Sequence, residues 1–339
     1  MRVGTNPSKH AIAAKAPAPV TVALLVYVPF ESGYFKDGLD VVRLCLQSVY
    51  QNTTPDHDVF VFDNGSAKSI VDFLQAEQRD GRIQYLALAG SNIGKPAALN
   101  FIFGAAPGEY IAYSDGDAFF FPGWLEAHLD ILKTFPRVGI VNGLPARHLM
   151  DWATKSTIAE AQANPDIKIE KGRLIPEDVI ASLCEGVGRS FDAYLKETEH
   201  LEDVKLTHRG VQAYVGAHHF QFVARKSVLS ELGPMQATLA LGRAELEFDE
   251  KIDRAGYMRL STGSQFVFHL GNLLTNKWRQ VAADYSVNVS GATRSSSSSL
   301  PMQRLRLRIR ENSVVKRVLL KLYGSIFKLY YYGESKHQS

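Results

Sequence analysis

Residues 109–124 read EYIAYSDGDAFFFPGW, and the order of residue types in this stretch governs how the rest of the chain is read. Ile111, Ala112 and Tyr113 form a short apolar run, the pattern of a buried strand. Ser114-Asp115-Gly116-Asp117 follows where that strand should end. The two carboxylates flank a glycine, so no side chain lies between them to obstruct an ion. Hard divalent cations such as Mg²⁺ or Mn²⁺ take oxygen ligands and leave room for the phosphate oxygens of a substrate. Asp and Gly are equally the residues of an ordinary turn, so the surrounding chain has to decide.

Upstream, residues 20–28 are a continuous apolar run rich in β-branched side chains, the pattern of a strand buried on both faces of a parallel sheet. Pro29-Phe30-Glu31-Ser32-Gly33 breaks it. Leu39, Val42, Leu46, Val49 and Tyr50 then recur at helical spacing. Residues 58–62 read as a second strand, ending in Asp63-Asn64-Gly65-Ser66, and residues 69–78 as a second helix. Residues 83–88 predict a third strand, 96–103 a third helix and 110–113 a fourth strand. Three β-then-α units in succession predict an α/β fold: a doubly wound, Rossmann-like sheet with right-handed crossovers. Ligands of such sheets bind beyond the carboxyl ends of the strands. Residues 29–33, 63–66, 92–95 and 115–117 would all lie along that one edge.

Beyond residue 139 the pattern is less regular. Residues 158–163 and 179–195 predict helices separated by a charged, Pro-containing loop at 164–176. Residues 212–224 predict one or two strands around a Gly216-Ala217-His218-His219 turn. Helices follow at 226–232 and 244–255, and strands at 257–260 and 264–269.

A net charge of +3 is too small to suggest a nucleic-acid partner, and with only Cys45 and Cys184 the chain cannot build a disulfide framework or a Cys-based zinc site. Residues 1–19 are expected to be a disordered leader, since their longest apolar piece is too short for a signal-peptide core. No run approaches the roughly 18 apolar residues of a membrane span, which predicts a cytoplasmic or membrane-peripheral protein. Several chemistries are excluded. Gly90-Ser-Asn-Ile-Gly94-Lys95 has one residue too few for a P-loop and carries Pro96 where Ser or Thr should stand. Nucleophile-elbow, zinc-protease and Cys-x-x-Cys patterns are missing, as is a Gly-rich dinucleotide fingerprint after the first strand. What remains is a metal-assisted nucleotide site. There Asp63 would accept hydrogen bonds from a base, Asn92, Gly94 and Lys95 would lie along a diphosphate, and Asp115 with Asp117 would hold the bridging ion, Mn²⁺ or Mg²⁺.

These stretches together resemble the family 2 glycosyltransferases with the GT-A fold. The resemblance is carried by residues 22–31, by Val61-Phe-Asp-Asn-Gly-Ser66, by Asn92-Ile-Gly-Lys-Pro-Ala-Ala-Leu-Asn100, and by Tyr113-Ser-Asp-Gly-Asp117 with Pro122-Gly-Trp124. It covers residues 20–132 strongly and 215–272 more loosely. It implies transfer of one sugar from a nucleotide-sugar, a UDP-sugar by preference, to a hydroxyl of a glycan or lipid-linked sugar, with inversion, in cell-surface glycan or polysaccharide assembly. By the same resemblance Pro29, Glu31 and Asp63 would surround the base, and His269 would approach the metal or diphosphate. An inverting displacement needs a base on the face opposite the leaving group. The resemblance places it in Glu245-Leu-Glu247-Phe-Asp249-Glu250 before Gly256-Tyr257, with Glu245 favoured over Glu247. Glutamates stand here where the family commonly has aspartates, and acidic residues also suit the first turn of any helix. His218 and His219 would point to opposite faces of a strand, one toward the acceptor. The chain has neither the Q-x-x-R-W motif nor the membrane spans of processive synthases, so single transfer is expected.

Five regions follow: a leader (1–19), a donor half (20–140), an acceptor and base half of α+β character (141–285), a Ser-rich linker (286–303) and a basic tail (304–339). In the tail Val315, Val318, Leu319, Leu322, Ile326 and Leu329 share a helical face, with Lys316, Arg317, Lys321 and Lys328 mostly off it. Such a basic amphipathic helix suits an anionic membrane surface, or packing on a protein partner. Two rival functions remain. A sugar nucleotidyltransferase would need a Gly-rich, Arg-containing loop where Pro29–Ser32 stands. A non-catalytic nucleotide- or glycan-binding protein on the same scaffold would have no use for Asp63, Asp115, Asp117 and Glu245 together.

Overall fold

The structure, a computed structural model, describes residues 4–5, 16–236 and 243–287. Most of the leader, the linker from residue 288 and the basic tail lie outside the described residues. The first half alternates strand and helix: β1 (Val20–Val26), α1 (Gly38–Asn52), β2 (His57–Asp63), α2 (Lys68–Arg79), β3 (Tyr85–Leu88), α3 (Lys95–Ala105) and β4 (Tyr110–Asp115). β5 (Ala118–Phe120), α4 (Trp124–Thr134), β6 (Val138–Asn142), α5 (Lys155–Ala163), β7 (Ile167–Gly172), α6 (Glu177–Val187), α7 (Phe191–Glu197), β8 (Asp203–His208), β9 (Val211–Val215) and β10 (Gln221–Arg225) follow. α8 (Lys226–Leu232), α9 (Arg243–Arg254), β11 (Met258–Thr262), β12 (Val267–His269) and α10 (Asn276–Asp284) complete the described chain.

Ten strands make one mixed sheet in the order β3-β2-β1-β4-β10-β6-β11-β9-β8-β7, and β12 pairs with β5 in a separate two-stranded sheet. β1 runs parallel to both β2 and β4, and β2 parallel to β3. β10 enters antiparallel between β4 and β6. The sheet is thus doubly wound and mixed, as the sequence predicts. The two expected halves share it, since β10 from the second half pairs with β4 from the first.

β1 shows why. It is buried at every position, and its side chains alternate between two cores. Val22, Leu24 and Val26 face one cluster with Leu46, Val49 and Ile70 of α1 and α2. Ala23 and Leu25 face the other, with Leu99 and Ile102 of α3 and Phe248 and Ile252 of α9. Both faces being covered, the strand is apolar throughout except Thr21, whose buried hydroxyl accepts from Gly108 N–H at 2.9 Å. Leu24 is 0% exposed, and truncating it to Ala would cost about 2–5 kcal/mol.

Several sequence expectations need correction. The charged stretch at 164–176 contains β7, an edge strand paired, among the described residues, with β8 alone; Lys168 and Glu170 alternate with the core residues Ile167 and Ile169, so the stretch is a strand and not a loop. The single helix expected at 179–195 is two helices. Gly188, at φ +61°, ends α6 in a left-handed cap, and Ser190 caps α7 through its hydroxyl. The Gly216–His219 turn is a loop joining β9 to β10, so His218 and His219 do not sit on a strand. Residues 16–19, expected in the leader, are tied in: Ala18 is buried and its N–H donates to Asp58. Among the described residues no helix is long and apolar enough to cross a membrane.

Candidate active site

Because β1, β2 and β4 are parallel and in register, Val26 pairs with Asp63 and Leu25 with Asp115. Their carboxyl ends therefore open on one edge. Asp63 closes a tight turn: its Oδ2 accepts from the N–H groups of Gly65 and Ser66 at 3.2 and 3.1 Å. Its Oδ1 is buried and meets no hydrogen-bond donor among the described residues. Ser66 returns to β1's extension, accepting from Val28 N–H at 2.9 Å, which sets half-buried Pro29 beside the Asp63 turn. Glu31 is exposed and accepts from the hydroxyl of Ser69.

The Asp63 turn interlocks with the loop after β3. Asn64 donates to Asn92 Oδ1 at 3.0 Å and accepts from Ile93 N–H at 2.9 Å, while Gly94 N–H donates to the same Asn92 oxygen at 2.8 Å. The approach is close enough that a Cβ on Gly65 would lie 2.7 Å from the Ser91 carbonyl carbon, at a φ of +84° that favours glycine in any case. Gly94 caps α3, Pro96 occupies its first turn, and Lys95 is its first residue.

Lys95 joins what three elements bring together. Its ammonium is 2.7 Å from Asp115 Oδ2 and 3.9 Å from Glu245 Oε1. Burial disfavours its charge, but Asp115, Glu245 and Asp117 outweigh that and raise its pKa above the ordinary lysine value. The other Asp115 oxygen accepts from the hydroxyl of buried Tyr113. Burial and the neighbouring Asp115 push that phenol far above its usual range, so it stays a donor. Both oxygens of Asp115 are thus engaged, each with one donor, and each keeps a lone pair that an ion could take.

Asp117 is placed differently. Its Oδ2 is 3.5 Å from His269 Nε2, and its buried Oδ1 has no partner among the described residues. The β5–β12 pairing sets His269 opposite Ala118, and Leu270 N–H donates to the Asp117 carbonyl at 2.7 Å. Burial raises the Asp117 pKa, His269 opposes the rise and Asp115 adds to it. A partly exposed carboxylate with one buried, unpartnered oxygen, next to an imidazole, fits a divalent cation. No cluster of three or more His, Cys, Asp or Glu capable of holding a metal exists among the described residues. Asp117 and His269 would therefore supply part of a coordination shell, with substrate oxygens completing it.

Of the two candidate bases on α9, Glu245 is 5% exposed and reaches this cluster. Glu247 pairs instead with Arg243, at 3.1 Å, on the outer side of the helix. The helix is held by a residue that belongs to no sequence motif. Arg259, buried in β11, donates to Trp152 O at 2.8 Å and Ala217 O at 2.7 Å, and is 2.8 Å from Asp249 Oδ2. Asp249 lies one turn beyond Glu245, so the clamp sets which face of α9 meets Lys95. His219 is 3.6 Å from the same Asp249 oxygen. Trp124 is core, buried with its indole N–H on Thr53. The hydroxyl's role at Tyr113 and the whole of Arg259 escaped the sequence reading, because a strand tyrosine reads as core and a strand arginine carries no motif.

Residues 34–191 match the model of the family described as Glycosyl transferase family 2. The match holds Asp63, Asn92, Lys95, Asp115 and Asp117 and ends before Glu245 and His269. A glycosyltransferase of Rickettsia bellii, itself uncharacterized, is 32% identical over 88 residues, which are 26% of this chain and 12% of that protein. Among solved structures, a mannosyltransferase from Pyrobaculum calidifontis in complex with GDP-Man and Mn²⁺ aligns at 16% identity and a TM-score of 0.44, over 72% of this chain and 55% of that one. Residues 1–349 of S. aureus TarS with UDP-GlcNAc align at 10% identity and a TM-score of 0.43, over 80% and 68%.

Proposed function

We propose that this chain, which carries a glycosyl transferase family 2 domain over residues 34–191, moves one sugar per encounter from a nucleoside-diphosphate sugar to an acceptor hydroxyl with inversion. A UDP-sugar is the first donor to test, and a glycan or lipid-linked sugar of cell-surface assembly the acceptor class. One observation carries the reading: Lys95 bridges Asp115 and Glu245, so a nucleotide-side carboxylate and a candidate base converge on one cation.

In this reading Pro29, Glu31 and the free Oδ1 of Asp63 frame the base. The Asn92–Gly94 loop and the N-terminus of α3 receive the diphosphate, where backbone N–H groups and the helix dipole favour negative charge. Asp117 and His269 would hold Mn²⁺ or Mg²⁺, which stabilises the charge that develops on the departing diphosphate. Glu245 takes the proton of the acceptor hydroxyl. The acceptor oxygen then bonds to the anomeric carbon as the carbon–oxygen bond to the diphosphate breaks on the opposite face. Lys95 holds Glu245 and Asp115 apart in charge before substrate arrives and turns to the diphosphate once it is present. The basic tail at 304–339 would keep the enzyme at the anionic cytoplasmic face of a membrane.

Turnover of a panel of UDP- and GDP-sugars tests this. Release of nucleoside diphosphate by the wild type, dependent on Mn²⁺ or Mg²⁺ and lost in Asp117→Ala, is expected. Tight nucleotide binding with no turnover of any donor, with or without acceptors, would favour the non-catalytic scaffold instead.

A further inference from the structure

A row of rings leads away from the Asp117 carboxylate. His269, beside Asp117, meets Phe220 edge-on at 5.2 Å between centroids. His218 lies 5.5 Å from Phe220, and His148 5.3 Å from His218. All four rings are half-buried, whereas the rings that serve packing, such as Phe119, Phe120 and Phe222, are buried completely.

Strand order gives the row its side. The Asp63 and Asn92 loops follow β2 and β3, on one side of β4, while His148 follows β6 and His218 and Phe220 join β9 to β10, on the other. A nucleotide lying over β1 to β3 would leave the row facing whatever approaches the sugar from the acceptor side.

The chemistry of the row is specific. His218 Nε2 is buried and meets no hydrogen-bond partner among the described residues, a rare condition that calls for an explanation. His148 faces the hydroxyl of Tyr194 at 3.2 Å. Burial and His148 keep His218 well below the ordinary histidine range, and burial with Arg189 holds His148 at about 4. His148, His218 and Phe220 therefore form an aromatic surface whose two histidines stay neutral at neutral pH, with His218 Nε2 unsatisfied among the described residues. Such a surface is poor for an anion and good for a ligand with an apolar ring face and hydroxyls at its rim.

We propose that His218 and Phe220, flanked by His148 and His269, form an acceptor subsite that stacks a neutral pyranose, with one sugar hydroxyl bonded to His218 Nε2. The proposal rests on the glycosyltransferase reading above and adds to it the class of acceptor.

The test is saturation-transfer NMR with methyl glycosides of glucose, galactose, mannose, N-acetylglucosamine and glucuronic acid, in the presence of Mn²⁺ and UDP or GDP. Wild type, His218→Phe and His218→Ala are compared, each checked for native near-UV circular dichroism. At least one neutral glycoside is expected to bind, with saturation strongest on its ring C–H protons. Its affinity should fall about tenfold in His218→Ala and about threefold in His218→Phe, which keeps the ring and loses the nitrogen. Nucleotide affinity should stay within about twofold in both. Glycoside binding equal in all three proteins, preference for the glucuronide, or no glycoside binding by a wild type that binds nucleotide would each overturn the subsite. A wild type that binds neither would bring down the glycosyltransferase reading beneath it.

Discussion

The ammonium of Lys95 lies 2.7 Å from Oδ2 of Asp115, a residue 20 positions further along the chain. Their side chains are 18% and 24% exposed, so solvent screens the pair only in part. Lys95→Met would leave Asp115, Glu245 and Asp117 facing one another without a cation. The expected cost is about 2–3 kcal/mol, below the range for a wholly buried pair because of that screening. Urea denaturation measures it. In a double-mutant cycle with Asp115→Asn the two losses should sum to more than the double variant shows.

Glu245 and Glu247 of α9 should separate cleanly. Glu245→Gln keeps the shape and removes the proton acceptor, so turnover should fall by about 10²–10⁴ with nucleotide affinity nearly unchanged. Glu247→Gln, which loses only its exposed pair with Arg243, should stay within about twofold of wild type. Initial rates of nucleoside-diphosphate release, set beside calorimetric affinities, decide between them. Equal losses in both would remove Glu245 from the base position.

Much of this site was legible in sequence because strand-end polar residues interrupt apolar runs at one topological place. Asp63, Asn92, Lys95, Asp115 and Asp117 are visible in that way, and β1's unbroken apolar run announces a strand covered on both faces. The second half was harder. β7 carries charges because one of its faces meets solvent, and a charged strand reads as a loop. β8 and β9 follow one another with no helix between them, outside the β-then-α rhythm. Tyr113 and Arg259 look like core and edge residues until the hydroxyl and guanidinium are placed in space.

Arg259 offers a stability test of the clamp on α9. It is 1% exposed, and it serves two backbone carbonyls and Asp249 at 2.7–2.8 Å. Arg259→Lys cannot reproduce that fork and leaves Asp249 with a buried charge poorly met, so a loss of about 3 kcal/mol or more is expected in chemical denaturation. A change under about 0.5 kcal/mol would show that the clamp does not hold the helix.

Acid should weaken the fold through His128. It is wholly buried, its Nδ1 is 2.6 Å from the Trp124 carbonyl and its Nε2 is 3.2 Å from the Gln221 amide nitrogen. A carbonyl only accepts, so Nδ1 carries the proton and Nε2 accepts from Gln221. Burial holds the pKa down to about 4, from 6.5. The unfolded chain therefore binds a proton below about pH 6.5 that the folded chain refuses until about pH 4. The contribution is fully present above pH 6.5 and is lost as pH falls through that window, amounting to about 3 kcal/mol. Denaturation of the wild type and His128→Gln at pH 7 and pH 4.5 should show a smaller acid loss in the variant. Parallel losses would place the acid sensitivity elsewhere.

Under the proposed function Asp117 and its neighbours build a metal-dependent nucleotide site at the carboxyl edge of β1, β2 and β4. Calorimetric titration of UDP, then GDP, with and without Mn²⁺, on wild type and Asp117→Ala tests it most directly. One of the two nucleotides should bind only with the metal present, and that binding should weaken at least about thirtyfold, roughly 2 kcal/mol, in the variant. Binding indifferent to Mn²⁺ and to Asp117→Ala, or no binding of either nucleotide, would contradict the account.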